Sequence, residues 1–144
     1  MADVAAARPA LVRFLAGGAV AGAVSALVNG VYFAVYRAAT GIQSKEPTLG
    51  SIALSSLFPS LLGALCYGLL ARWTGKATAI FTAVTCAITL ATFESVFRTT
   101  LPDGTLKPAG FDALVMPMHL VVGALAVVII PRIAHGRRKR GSAA

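Results

Sequence analysis

Apolar positions along this chain fall into four long blocks separated by short polar stretches. The blocks run from about Phe14 to Tyr36, Ser51 to Ala71, Ala77 to Phe97 and Phe111 to Ile130. Each approaches the ~20 residues that cross a hydrocarbon layer of about 30 Å. The pattern predicts an all-α integral membrane four-helix bundle, antiparallel and up-down-up-down. It forms a single transmembrane domain with helices over about 10–37, 51–72, 76–98 and 111–131, and a basic tail over 132–144. The tight polar turn Arg72-Trp73-Thr74-Gly75-Lys76 makes the second and third helices antiparallel neighbours. The fourth helix is expected to stop at Pro131-Arg132. Arg8 and Arg13 before the first block, with Val24-Ser25-Ala26 inside it, mimic a signal peptide, but the apolar run continues well past that point and reads as a retained helix.

Composition strengthens this picture. Charged residues make up only 12% of the chain, against 57% hydrophobic. A water-facing domain needs about 25% charged residues to coat its surface. The net charge of +8 does not point to nucleic acid, because the basic residues sit at block ends and in the tail Arg137-Arg138-Lys139-Arg140. That placement suits anionic lipid at a membrane surface. Nine Lys and Arg lie on the side of the N-terminus, the short turn and the C-terminus, against four (Arg37, Lys45, Arg98, Lys107) on the other side. The positive-inside rule then places both termini in the cytoplasm of a multi-pass plasma-membrane protein. Cys66 and Cys86 lie in apolar blocks and are expected to be packed core thiols.

Helices in lipid associate through close contact at small residues. Ridges at i+4 spacing occur as Gly18, Gly22, Ala26 and Gly30; as Ser56, Ser60, Ala64 and Gly68; and as Ala79, Ala83, Ala87, Ala91 and Ser95. Together with Gly123, they predict a tight bundle, and one ridge could equally serve a homodimer.

The polar residues inside the blocks are the candidates for chemistry. Asn29, Tyr32, Ser56, Ser60, Glu94 and His119 form a candidate polar cavity. At 1.5 Å per residue, Asn29, Glu94 and His119 lie roughly 10, 6 and 12 Å from the end of the membrane away from the termini. Pro59 and Pro117 would kink their helices on that same side. The expected picture is a bundle sealed at the cytoplasmic half, with a small polar cavity opening outward. Glu94 is expected to face inward and bond across to His119 and Asn29. Bland readings stand beside this one. Asn29 can be a helix–helix clamp, Glu94 can pair with Arg98, the serines can bond their own helix carbonyls, and a neutral His119 can be structural. His135 is expected to be solvated in the basic tail. The sequence offers no nucleophile, phosphate loop or metal cluster, so it implies no catalytic residue, metal or cofactor.

Asn29 followed by Tyr32, Thr48-Leu49-Gly50 leading into the second helix, and Met118-His119-Leu120 ahead of Pro131 carry a resemblance. On them the chain resembles a family of small four-span actinobacterial membrane proteins described only as a domain of unknown function. The resemblance covers nearly the whole length and implies the four-helix fold without a mechanism. High Ala, Arg and Gly content suits a GC-rich bacterial source. The leading expectation is a protein that binds a small molecule or lipid in the outward cavity. A structural accessory subunit of a larger membrane complex, a dimeric small transporter, and an intramembrane enzyme using Glu94 and His119 remain open.

Overall fold

A computed structural model describes residues 2–42, 46–101 and 104–135, without the side chains of residues 2–10 and 95–97. It has four helices long and apolar enough to cross a membrane. They are α1 (Ala2–Thr40), α2 (Leu49–Trp73), α3 (Ala77–Ala91) and α4 (Phe111–His135). A 3₁₀ segment, Thr92–Phe97, extends α3. No strand forms among the described residues, only an isolated antiparallel bridge between Thr100 and Leu106 in the α3–α4 loop.

Local chemistry sets the boundaries. α2 starts at Leu49 because Thr48 and Ser51 form a reciprocal capping box. The Thr48 hydroxyl accepts from the Ser51 amide at 3.1 Å, and the Ser51 hydroxyl accepts from the Thr48 amide at 2.8 Å. α3 leaves the α-helix at Thr92, whose hydroxyl donates to the Thr89 carbonyl at 2.6 Å, three residues back. That bond matches the tighter 3₁₀ register, which rises about 2.0 Å per residue against 1.5 Å for an α-helix. α3 and its extension together therefore reach about 34 Å, enough for the hydrocarbon layer despite a short α-helical part. α4 does not stop at Pro131 but runs through it to His135. Pro131 is buried in that helix, so the proline removes one helical donor without ending the helix.

α1 packs against both α2 and α4, using adjacent glycines on different sides. A Cβ on Gly18 would lie 2.8 Å from the Ser60 carbonyl oxygen, and one on Gly22 would lie 2.8 Å from the Leu57 Cα. A Cβ on Gly17 would instead meet the Ile130 Cα at 3.3 Å. On α2 the ridge Ser56, Ser60, Ala64 and Gly68 is wholly buried. Gly68 accommodates a ring, with Phe14 3.0 Å from its hypothetical Cβ. Gly30 is looser, 3.8 Å from Leu49 Cδ2 on the same measure. The third ridge departs from expectation: Ala79, Ala83, Ala87 and Ala91 are exposed, and α3 is the least buried of the four spans. α3 instead docks through Ala77 and Phe81, and a Cβ on Gly123 of α4 would run into the Thr89 hydroxyl. Cys66 and Cys86 are exposed as well, not packed. Lipid makes this tolerable, because an apolar side chain gains little by leaving it.

Two cores result. One, toward the termini, joins Ala21, Ala64, Tyr67, Ala77, Phe81, Ala126 and Ile130. The other, toward the opposite end, joins Phe33, Ile52, Leu114 and Met118. Trp73, at the end of α2, is 81% exposed, as suits a ring at the membrane–water boundary.

Candidate functional site

A cavity of about 310 Å³ lies in the end of the bundle away from the termini. Ile52, Ser55, Pro59 and Ser60 of α2, Ile88 and Thr89 of α3, and the Val115–Ala126 stretch of α4 wall it. Thr92 and Pro47 add to its sides, and Asn29 of α1 reaches it from behind. The volume is at the lower end of the ~300–1,000 Å³ typical of small-molecule sites. α2 and α3 meet near their shared turn, through Tyr67 and Phe81 at 5.2 Å between ring centroids, and the cavity fills the gap between their far halves. Ser55, Pro59 and Ile88 line it and are also exposed, so the mouth faces sideways between α2 and α3.

Asn29 is 2% exposed. Its amide nitrogen donates to the Met118 carbonyl at 3.2 Å and approaches the Ser56 hydroxyl at 3.4 Å. It thus joins α1 to both α2 and α4. Its carbonyl oxygen is buried without a partner among the described residues. Turning the amide over would set that oxygen against the Met118 carbonyl, two acceptors face to face. The Met118 carbonyl therefore fixes the orientation and leaves Oδ1 bare.

His119 is half-buried on the cavity wall, and its Nδ1 lies 3.0 Å from the Val115 carbonyl. A carbonyl can only accept, so Nδ1 carries the proton. In the neutral ring Nε2 is then an acceptor.

The proline on each wall matters for the backbone. Pro59 has no N–H, so the Ser55 carbonyl one turn earlier lacks its helical donor. Pro117 does the same to the Ala113 carbonyl, and there the Tyr32 hydroxyl substitutes at 2.8 Å. Tyr36, one turn further along α1, donates to the Gly110 carbonyl at 2.9 Å.

The sequence candidates therefore separate. Asn29, Ser60 and His119 line the cavity. Ser56 sits behind it against Asn29, and Tyr32 closes the Pro117 kink; neither lines it. Glu94 does not face inward to meet His119 and Asn29. It is exposed and bonds Arg98 at 3.0 Å. The cause is the 3₁₀ segment. At about 120° per residue instead of 100°, the three steps from Ala91 to Glu94 turn it about 60° from the face an α-helix gives it.

One polar group, Tyr67, does not stand out in the sequence. Tyr67 is fully buried and bonds the Thr78 hydroxyl at 3.0 Å. Its hydroxyl also lies 3.2 Å from Nδ1 of His135, whose ring packs edge-on against it at 6.0 Å. His135 is exposed, as the sequence led one to expect, yet it still belongs to α4 and its ring packs against Tyr67. The absence of any other donor or acceptor in the apolar stretch around Tyr67 was the available signal.

Residues 8–138 match a family of unknown function, DUF6069. The chain belongs to that family. The match spans nearly the whole length, so all four candidate membrane spans of this DUF6069 chain, from Leu11 to His135, fall within it. No curated protein and no solved structure matches the chain. What this family member does must therefore be argued from its own cavity.

Proposed function

We propose that the chain is a bacterial plasma-membrane protein that takes a small molecule or lipid from the bilayer into the cavity between α2, α3 and α4. One observation carries this reading: a cavity of about 310 Å³ whose mouth is lined by the exposed Ser55, Pro59 and Ile88. Those residues lie between two membrane spans, so the mouth faces lipid and suits a molecule dissolved in it. The excess of Lys and Arg on the side of the termini supports a cytoplasmic placement for both ends. In that orientation the cavity belongs to the outer half of the membrane, and the tail lies beside anionic lipid.

The test is a small-molecule inventory by mass spectrometry of the protein purified in mild detergent, alongside Ser55→Trp. Ser55 is exposed, so the indole blocks the mouth without entering the core. A compound recovered near one per chain from the wild type, and depleted in the variant at unchanged melting temperature, is the expected result. Equal recovery from both, or no stoichiometric compound at all, overturns the reading.

A second reading is an accessory subunit, supported by the exposed face Ala79, Ala83, Ala87 and Ala91 of the least buried helix. Small residues let another helix approach closely. A membrane partner cross-linked along that face in native membranes would favour this reading.

A further inference from the structure

The polar inventory of the cavity wall is lopsided. Apart from the Thr89 hydroxyl, its side-chain donors are spent within the protein. The Ser55 hydroxyl donates to the Ile52 carbonyl at 3.2 Å, Ser60 to the Ser56 carbonyl at 2.8 Å, and Thr92 to the Thr89 carbonyl at 2.6 Å. The Asn29 amide protons go to Met118 and Ser56. The acceptors are left over. Asn29 Oδ1 is buried and unpartnered. His119 Nε2 is the bare nitrogen of a ring whose other nitrogen donates to Val115. The Ser55 carbonyl lacks the N–H that Pro59 cannot supply.

The lining also contains no Asp, Glu, Lys or Arg among the described residues. A buried ammonium would find no carboxylate, and a buried phosphate or carboxylate would find no Lys or Arg. Either charge would be strongly disfavoured in such an apolar site.

From this we infer that the ligand is an uncharged, hydroxyl-bearing amphiphile, a long-chain alcohol in the simplest case. Its hydroxyl donates to His119 Nε2 or, after a small shift of the buried amide, to Asn29 Oδ1, and its chain leaves between α2 and α3 past Pro59 and Ile88. This rests on the binding reading above and adds the chemistry of the head group. A buried acceptor given a donor is worth considerably more than one left bare, because the bare group keeps its full desolvation cost. The head group is thus the selective element, while the apolar walls supply bulk affinity.

The experiment uses the full chain in nanodiscs and three photoactivatable probes with the same diazirine-bearing alkyl chain. One ends in a primary alcohol, one in the methyl ether of that alcohol, and one in a carboxylic acid. Cross-linked peptides are mapped by mass spectrometry. The alcohol should label α2 around Ile52–Ser60 and α4 around Val115–Ala126 about tenfold more than the ether. Unlabelled alcohol should compete it away. In Asn29→Ala the preference should shrink toward the ether level. His119→Phe keeps the wall filled and should shrink it as well, which serves should Asn29→Ala fail to fold. Equal cavity labelling by alcohol and ether, or stronger labelling by the acid, overturns the hydroxyl assignment while leaving a lipid-binding cavity in place. No cavity labelling by any probe above that of outward residues such as Leu54 overturns both, and is the result expected of a cavity that holds only water.

Discussion

Pro117 and Tyr32 form a pair in which one residue makes a defect and another, on a different helix, repairs it. The carbonyl of Ala113 has lost its helical donor to the proline, and the phenol replaces it at 2.8 Å. Tyr36 makes a bond that looks alike but has less at stake, since the Gly110 carbonyl it reaches also accepts from the Leu114 amide at 3.1 Å. Tyr32→Phe should therefore destabilise the protein by about 0.6–1.7 kcal/mol, the range for hydrogen bonds between membrane helices. Tyr36→Phe should cost visibly less. Unfolding in mixed detergent checks the order, and equal losses would show that the orphaned carbonyl finds another donor. Asn29 and His119 were legible in the sequence, because a polar side chain deep in an apolar block has few options and stands out. Glu94 was misread, since its facing depends on where the α-helix gives way to 3₁₀, and that follows from the Thr92–Thr89 bond. The Tyr67–His135 contact was not legible because it joins residues 68 positions apart, and a tyrosine in an apolar run reads as one more hydrophobe.

Among the elements, α1 and α2 are in the closest contact. Their ridges interlock without room for a methyl group, with Ala64 Cβ itself 2.7 Å from where a Cβ on Gly18 would sit. Gly22→Ala should cost about 1–3 kcal/mol as an overpacked contact, because the obstacle is the α2 backbone and cannot swing away. Gly18→Ala should behave similarly. Gly30→Ala, on the same ridge, has ordinary van der Waals space and should be neutral or slightly stabilising, as alanine favours the helix. Thermal melts in one detergent rank the three, and a Gly22→Ala protein as stable as the wild type would mean that the helices stand further apart. Spacing alone revealed the ridges on α1 and α2, since both must bury their smallest residues to approach. It could not tell that the α3 ridge faces outward. An alanine face is as comfortable against lipid as against a helix, so composition does not fix its direction. The element with the weakest packing thus had the most ambiguous pattern, and it is the one that stands off to leave the cavity.

At the scale of the whole molecule, charge is divided sharply between the two ends. On the loop side Arg37, Lys45, Arg98 and Lys107 are matched by Glu46, Glu94, Asp103 and Asp112, leaving the entire net charge of +8 on the side of the termini, where Asp3 stands against nine basic residues. Two of the matches are direct: Arg98 with Glu94 at 3.0 Å and Lys107 with Asp112 at 2.8 Å. In a background where Cys66 and Cys86 are alanine, a membrane-impermeant thiol reagent applied to intact cells should modify Ala109→Cys and spare Ser142→Cys until the cells are lysed. The reverse pattern would turn the cavity toward the cytoplasm. The four spans were legible as a whole because hydrophobic length is a property of the sequence alone. Which helix leans on which was not, because the small and polar groups that decide it are far apart along the chain. Asn29 and Tyr32 bond carbonyls 89 and 81 residues further on. During synthesis, the Tyr32 phenol therefore stays without its carbonyl, and the Asn29 amide has only Ser56 of α2, until the fourth helix arrives. A chain that stops before residue 111 thus has three hydrophobic spans, with the Tyr32 phenol and one of the two Asn29 amide bonds still unmade.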